Sequence, residues 1–321
     1  VTASRWWIYQ RERFPLVGHG ILVLAFSAAA VGYSASLRSA TSGAFEAPRP
    51  ASFVVAFVVC LLFFLQLRIA DEWKDAEEDA RFRPERPVPR GLVTLRELAV
   101  VGVIAGVVQL VAALLLEPRL LAILAIAWLY FALMSREFFV ADLLRPRHAL
   151  YLVSHMFVLP IVDCFATACD WMVHRSDAAE PSAFALGLAW FLAASYCNGV
   201  VVEIGRKLRA PSDEREGVNT YTSVWGRPRA IAAWCGALLA SAMLGLGALG
   251  SIGAIQLGAP ILCGGAVAAT AIAVRFARSP TTRGARTMEH VAGLWTVLFA
   301  VAVGLAPLLV RAFGAPGSSA S

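Results

Sequence analysis

Charge is what this sequence has least of. Only 16% of its 321 residues are Asp, Glu, Lys or Arg, against about a quarter in an ordinary soluble domain. That shortage excludes a water-soluble domain with the usual charged surface. Paired cysteines are also missing. The six cysteines (Cys60, Cys164, Cys169, Cys197, Cys235 and Cys263) form no CxxC and lie within or beside apolar runs, so neither a zinc site nor a disulfide frame is indicated. There is no phosphate-binding glycine loop, no dinucleotide fingerprint and no HExxH. No Ser-His-Asp or Cys-His arrangement can be assembled either.

What fills the chain instead is hydrocarbon: 59% of residues are hydrophobic and the mean hydropathy is +0.67. Apolar runs recur at the length of about 20 residues that crosses a bilayer. They predict an all-α, polytopic membrane protein of about nine spanning helices in one bundle, at roughly 16–35, 51–70, 92–115, 118–135, 149–171, 183–204, 229–250, 254–276 and 288–310. The expectation is a single domain over 1–321, two polar loops capping a central cavity, and a disordered tail at 312–321, where GAPGSSAS is small and polar. The first run follows the basic, aromatic SRWWIYQRER and lacks a small-residue cleavage site. It is expected as a retained helix.

Charge asymmetry predicts the orientation. In this arrangement Arg38, Arg49, Arg119, Arg175 and Arg311 lie on one side, and the other 23 of the 28 basic residues lie on the opposite side. The positive-inside rule places residues 1–15 and the two polar loops in the cytoplasm and the C-terminus outside, in a membrane of the bacterial inner type. This bias accounts for the net charge of +6. It requires no nucleic-acid partner, and no nucleic-acid module is present.

Two connections on the basic side are long and densely charged, 68–90 and 203–229. The first lies in LRIADEWKDAEEDARFRPERPVPRG, from Leu67 to Gly91. Asp71, Asp75 and Asp79 recur at i, i+4 and i+8, which on a helix is one face drifting about 40° and rising about 6 Å per step. Like charges at this spacing repel, and no base interrupts the line; Arg68 lies one turn before it. A solvated helix end is the plain reading. A divalent-cation site is the sharper one, because Mg2+ takes a few carboxylate oxygens together with water and phosphate. Pro84, Pro87 and Pro89 then stop the helix and keep Arg81, Arg83, Arg86 and Arg90 close, and guanidinium forks suit phosphate oxygens. Acids for a metal, arginines for phosphate and an adjoining apolar interior together suit a diphosphate carrying a long hydrocarbon tail.

The same stretch resembles the first signature of the UbiA superfamily of intramembrane prenyltransferases, NDxxDxxxD followed by RPxRPxPxG. Asp71 stands at the Asn and Glu72 at the next Asp, while Asp75 and Asp79 match. The resemblance covers essentially the whole chain. It implies nine helices, a cytoplasmic active site, Mg2+, a polyprenyl diphosphate donor and, commonly, an aromatic acceptor. In the second loop the family pattern is DxxxD, then a glycine four residues on and a run ending in Gly. Gly217 to Gly226 fits the ending, so Asp213 matches the last aspartate, but its partner position is Arg209. Glu203 is the nearest acid upstream. The expected metal ligands are thus Asp71, Asp75 and Asp79 with Asp213 and Glu203. The expected diphosphate contacts are Arg68, Arg83, Arg86, Lys207 and Arg209, with Arg206 beside them.

Ionisable groups inside a span are expensive and so are functional candidates. His155 and Asp163, with Pro160 between them, lie on roughly one face of the fifth helix. They are expected, together with Tyr196 and Asn198, to form an acceptor pocket; for each, satisfaction by a neighbouring helix is the plain alternative. Phe63, Phe64, Trp73 and Tyr196 are candidates for shielding an allylic cation. His155, Asp163 or the diphosphate itself could take the acceptor's proton. Gly245, Gly247, Ala248 and Gly250 are expected as packing contacts. The leading expectation is Mg-dependent prenyl transfer to a lipophilic, aromatic acceptor. Two alternatives stand beside it: a UbiA-type terpene cyclase using the diphosphate alone, and a non-catalytic lipid-binding or transport protein on the same fold.

Overall fold

The computed structural model describes residues 2–174, 181–215 and 217–314. Among them there is no strand. A short helix α1 (Thr2–Arg13) precedes α2 (Leu16–Ser42) and α3 (Pro50–Lys74). The first polar loop carries α4 (Ala76–Phe82), and α5 (Leu95–Leu116) and α6 (Leu120–Ser135) follow. After a one-turn α7 (Ala141–Leu144) come α8 (His148–Met156) and α9 (Val158–Trp171), which together make one span. Then come α10 (Pro181–Gly205), the short α11 (Tyr221–Trp225), α12 (Arg227–Ser251), α13 (Ile255–Arg278), α14 (Thr282–Phe299) and α15 (Ala306–Phe313).

Eight of these helical runs are long and apolar enough to cross a membrane. The ninth expected span is present as α6, but its 16 residues reach only about 24 Å at 1.5 Å per residue. The tail expected at 312–321 is helical through Phe313, and 315–321 lies outside the described residues.

Helix ends follow local chemistry. Thr94 and Glu97 form a reciprocal capping box at the start of α5, and Thr281 accepts from the Gly284 amide at the start of α14. Pro50 opens α3 from the first-turn position, where its missing N–H costs nothing. The break between α8 and α9 at Phe157 also has a cause: Pro160 has no N–H to give, and its ring clashes with the carbonyl four residues back, that of Met156.

Between spans there is no oil-versus-water gain to exploit, so close approach matters more. A Cβ on Gly32 would lie 2.8 Å from the Gly304 carbonyl oxygen, where α2 meets the π-helical turn Ala300–Leu305. Gly245 and Gly247 admit the Phe299 and Trp190 rings in the same way. The core joins Tyr33, Phe63, Phe165, Trp234 and Trp295, all buried. At one end of the bundle, α1 lays Tyr9 against Ile69, Val93 and Leu98 in a separate small cluster. Both polar loops emerge at that end.

Candidate active site

The three aspartates do not stand in one line. The α3 helix ends at Lys74 and Asp75 caps it (φ −92°, ψ 5°) before α4 begins. The break sends the three side chains into different surroundings. Asp71 keeps its side chain 49% exposed and meets only Arg68, at 3.6 Å. Asp75 is half-buried. Burial, and then the neighbouring charges of Asp71, Asp79 and Glu78, push its carboxyl above the usual range, and Lys74 offsets this only partly. Asp79 is turned inward, 2% exposed. Its oxygens accept from Arg86 Nη1 at 2.7 and 2.5 Å and from Arg83 Nη1 at 3.1 Å. Arg83 and Arg86 are therefore folded back on Asp79. The four arginines of this stretch divide: Arg83 and Arg86 pair with Asp79, Arg90 pairs with Glu12 of α1, and Arg81 lies over the Phe82 ring.

In the second loop α10 ends and the chain turns back on Glu203. This buried carboxylate accepts from Arg206 Nε at 2.5 Å and pairs with Lys207 Nζ at 2.7 Å. The Arg206 guanidinium is held more firmly charged by Glu203 and, further off, by Asp71 of the first loop. Arg209 turns away from this cluster. Its Nη1 donates to the carbonyls of Arg206 and Leu208, both at 2.9 Å, in the turn that follows α10. Asp213 sits on a single 3-10 turn (Pro211–Asp213) and accepts from Thr282 Oγ1 at 2.8 Å. The loops also touch directly: Gly217 has φ +76°, and a Cβ there would lie 2.5 Å from the Phe82 ring. Two segments more than a hundred residues apart thus share one polar site.

The five acids expected as metal ligands are not gathered. Among the described residues, no three His, Cys, Asp or Glu side chains converge as a metal cluster. Asp79 and Glu203 already carry basic partners, and Asp213 is bonded to α14. A magnesium site does fit Asp71 and Asp75, which lie one turn apart. One has only a loose partner and the other is crowded by like charge, and Mg2+ takes one or two carboxylates, with water and substrate phosphate completing its shell.

Sequence reasoning missed a third contributor, the connection between α6 and α8. Lys74 pairs with buried Glu137 at 2.8 Å, and Arg145 donates to the same carboxylate at 3.0 Å. These two cations hold Glu137 below the ordinary carboxylate range although burial pushes it up. The Lys74 ammonium also makes a short hydrogen bond to the Tyr151 hydroxyl. Glu137, Phe138 and Phe139 all have positive φ, 49°, 54° and 60°, a costly conformation for non-glycine residues that tends to mark functional sites. The signal available in the sequence was a lone acid, Glu137, at the end of an uninterrupted apolar run.

The expected acceptor residues divide. His155 and Asp163 are buried, and His155 Nε2 and Asp163 Oδ1 have no hydrogen-bond partner. Asn198 Oδ1 accepts from Ser241 at 2.6 Å and from Trp295 Nε1 at 2.9 Å, tying α10 to α12 and α14. Tyr196 donates to the Val153 carbonyl at 3.2 Å and packs on Phe157. Of the candidate rings for cation shielding, Phe63 is buried edge-on to Phe131, whereas Trp73 is 52% exposed.

No curated protein matches this chain closely enough to count as a relative. Solved structures share its fold, two of them as follows. One is described as giving structural and mechanistic insights into digeranylgeranylglyceryl phosphate synthase in membranes: 16% identical, TM-score 0.54, covering 91% of this chain and 99% of the other. The second is the apo structure of a UbiA homologue from Aeropyrum pernix K1: 15% identical, TM-score 0.59, covering 91% and 98%. At these identities the likeness establishes the architecture alone. The family assignment comes from sequence. The model of the UbiA prenyltransferase family matches residues 34–297, a stretch that contains both polar loops and most of the apolar helices, and this integral membrane protein belongs to that family.

Proposed function

We propose that this chain moves a polyprenyl group from an allylic diphosphate to a lipophilic, aromatic acceptor inside the membrane, in a Mg2+-dependent reaction. The observation that carries this reading is the meeting of the two polar loops. Arg68 and Asp71 end one span, Arg206 and Lys207 follow another, and Asp71 and Arg206 sense each other's charge. The positive-inside rule puts this end in the cytoplasm.

In this reading Arg68, Arg206 and Lys207 bind the diphosphate oxygens. The tail runs inward between the spans. Asp79 keeps Arg83 and Arg86 folded at the rim, and Glu203 orients Arg206 and Lys207, so the acids and bases form a fixed frame that needs little reorganisation as charge develops on the leaving group. Magnesium, held by Asp71 and Asp75, supplies Lewis-acid neutralisation of that charge when bound. The apolar interior around Phe63 excludes water that would otherwise quench an allylic cation. Tyr221 walls the site beside Glu203: burial, and then that carboxylate, push its hydroxyl pKa up and keep it neutral.

A second reading, a lipid-binding or transport protein on the inherited fold, draws support from one observation. Glu72, Asp79 and Glu203 are all paired with arginine or lysine. A screen of geranyl to octaprenyl diphosphates against a panel of para-substituted phenols, with product masses as readout, decides between the readings. Magnesium-dependent prenylated product, abolished by EDTA, supports transfer. Diphosphate release with donor alone and a cyclised hydrocarbon would instead make the protein a cyclase. Donor binding without turnover at any chain length would leave the transport reading.

A further inference from the structure

His155 carries more chemistry than a pocket wall needs. Its Nδ1 lies 2.9 Å from the Tyr151 carbonyl oxygen. A carbonyl can only accept, so the ring proton sits on Nδ1 and the lone pair is on Nε2. That Nε2 is buried and has no hydrogen-bond partner. Aromatic rings pack against this imidazole. It is stacked flat on Tyr151 (centroids 3.7 Å apart, planes at 13°), and the Phe138 ring stands edge-on at 5.9 Å and 89°. Buried polar atoms are rarely left unpaired, and those that are call for an explanation.

Its position supplies one. His155 lies one helical turn deeper than Tyr151, whose hydroxyl receives Lys74. The charges of Lys74 on α3, Glu137 after α6 and Glu203 on α10 all reach the ring. It therefore lies just beneath the polar cluster to which the diphosphate is assigned, at the depth where the first carbon of a prenyl chain would begin. Asp163 is too deep for this duty: eight residues further along the span is about 12 Å.

We propose that His155 Nε2 is the base that takes the acceptor's proton during prenyl transfer. This rests on the prenyl-transfer reading above. The C–O bond between the prenyl chain and the diphosphate breaks, and its electron pair leaves with the diphosphate. Ring π electrons of the phenol form the new C–C bond to the allylic carbon. The proton on the attacked ring carbon passes to Nε2, its bonding pair restores the aromatic ring, and the imidazolium later loses the proton to water. The inference narrows the acceptor class to molecules that release a proton on attack.

The test uses the full-length protein in nanodiscs with the donor and phenol identified by the screen. His155→Gln, which keeps a polar side chain but loses basicity, is expected to lower kcat by about 10²–10⁴-fold. KM for the donor should change by less than about 3-fold, because substrate binding is not the step removed. His155→Ala should regain at least about 10-fold in kcat with added imidazole, since a free base then fills the role. A wild-type kcat in His155→Gln overturns the base and leaves the transferase reading intact. So does a loss in His155→Ala that imidazole cannot restore. A wild-type protein that transfers nothing in the screen overturns both. Should His155→Gln fail to fold, the imidazole response of His155→Ala alone decides.

Discussion

Arg13, on the short N-terminal helix, donates its Nε to the buried carboxylate of Glu72 across 59 positions of chain. Its Nη2 lies 4.0 Å from Asp79. One arginine from outside the family match therefore spans two acids of the first signature. Those acids face inward, toward Arg13 and the Arg83–Arg86 pair. Asp71 keeps only Arg68, at 3.6 Å, and Asp75 is crowded by Asp71, Asp79 and Glu78.

Removing Arg13 should be costly. Arg13→Ala strands Glu72 as an uncompensated buried charge, a change worth about 3–5 kcal/mol. The thermal midpoint in detergent should fall accordingly, and adding Glu72→Gln should recover much of the loss. A fall that Glu72→Gln leaves unrepaired would mean that Arg13 acts through packing of α1 and not through this pair.

The Asp75 prediction runs the other way. Its carboxyl is held above the ordinary range by burial, Asp71, Asp79 and Glu78. A folded-state pKa above the unfolded one means that the native protein binds the proton more tightly, so this group's contribution to stability grows as pH falls through its raised range and is unfavourable at neutral pH. Asp75→Asn should therefore leave the magnesium-free thermal midpoint unchanged or higher. In wild type, Mg2+ should raise the midpoint by mass action, and the gain should shrink on acidification as protons compete. In Asp75→Asn the Mg2+ response and turnover should both disappear. A variant still stabilised by Mg2+ to the wild-type extent would remove Asp75 from the ion's shell.

The nine apolar segments were legible because lipid enforces a simple code: every backbone polar group must be satisfied within its own helix, so length and hydropathy suffice. The aspartate and arginine-proline stretch was legible because its composition breaks that code so sharply. What the sequence hid was pairing. Asp79 and Glu203 look like ligands in a string of letters, but whether a carboxylate serves a metal or an arginine depends on the helix break at Asp75 and on where α1 lies. Arg209 is expected at a phosphate, and its Nη1 donates to the nearby carbonyls of Arg206 and Leu208. Asn198 is expected in the pocket, and its Oδ1 accepts from Ser241 and Trp295. Glu137 carries no local signal because its partner Lys74 lies 63 residues away, beyond the reach of any local spacing.

Lys74 should therefore matter more than its place in the signature suggests. Lys74→Met removes one of the two cations facing Glu137 and leaves the exposed Arg145 as its partner. A cost of about 1–3 kcal/mol follows from weakening a buried charged hydrogen bond. Because Glu137 is held below the ordinary range, its contribution to stability is present above the unfolded carboxylate pKa and is lost as pH falls through the depressed range. In Lys74→Met that acid-side loss should flatten, as thermal midpoints measured from about pH 6 down to about pH 2 can show. An unchanged acid limb would detach Glu137 from Lys74.

Far from the aspartates, at the other end of the bundle, Arg38 and Asp170 form a buried bidentate pair with both bonds at 2.9 Å, and Ser34 adds a third at 2.8 Å. This is a fastener between α2 and α9. Asp170→Ala should cost about 3–5 kcal/mol by taking away the guanidinium's buried carboxylate and leaving it only the exposed Glu46, at 3.7 Å. Replacing both partners, Arg38→Met with Asp170→Leu, should restore the midpoint or exceed it, because apolar side chains avoid the desolvation penalty that the ion pair carries. Turnover per folded molecule should stay within about 2-fold of wild type in all of these variants, since coupling across such a distance needs an element with two arrangements. A change in kcat that tracks the Arg38–Asp170 pair at constant folded fraction would show that this end of the bundle moves during the reaction.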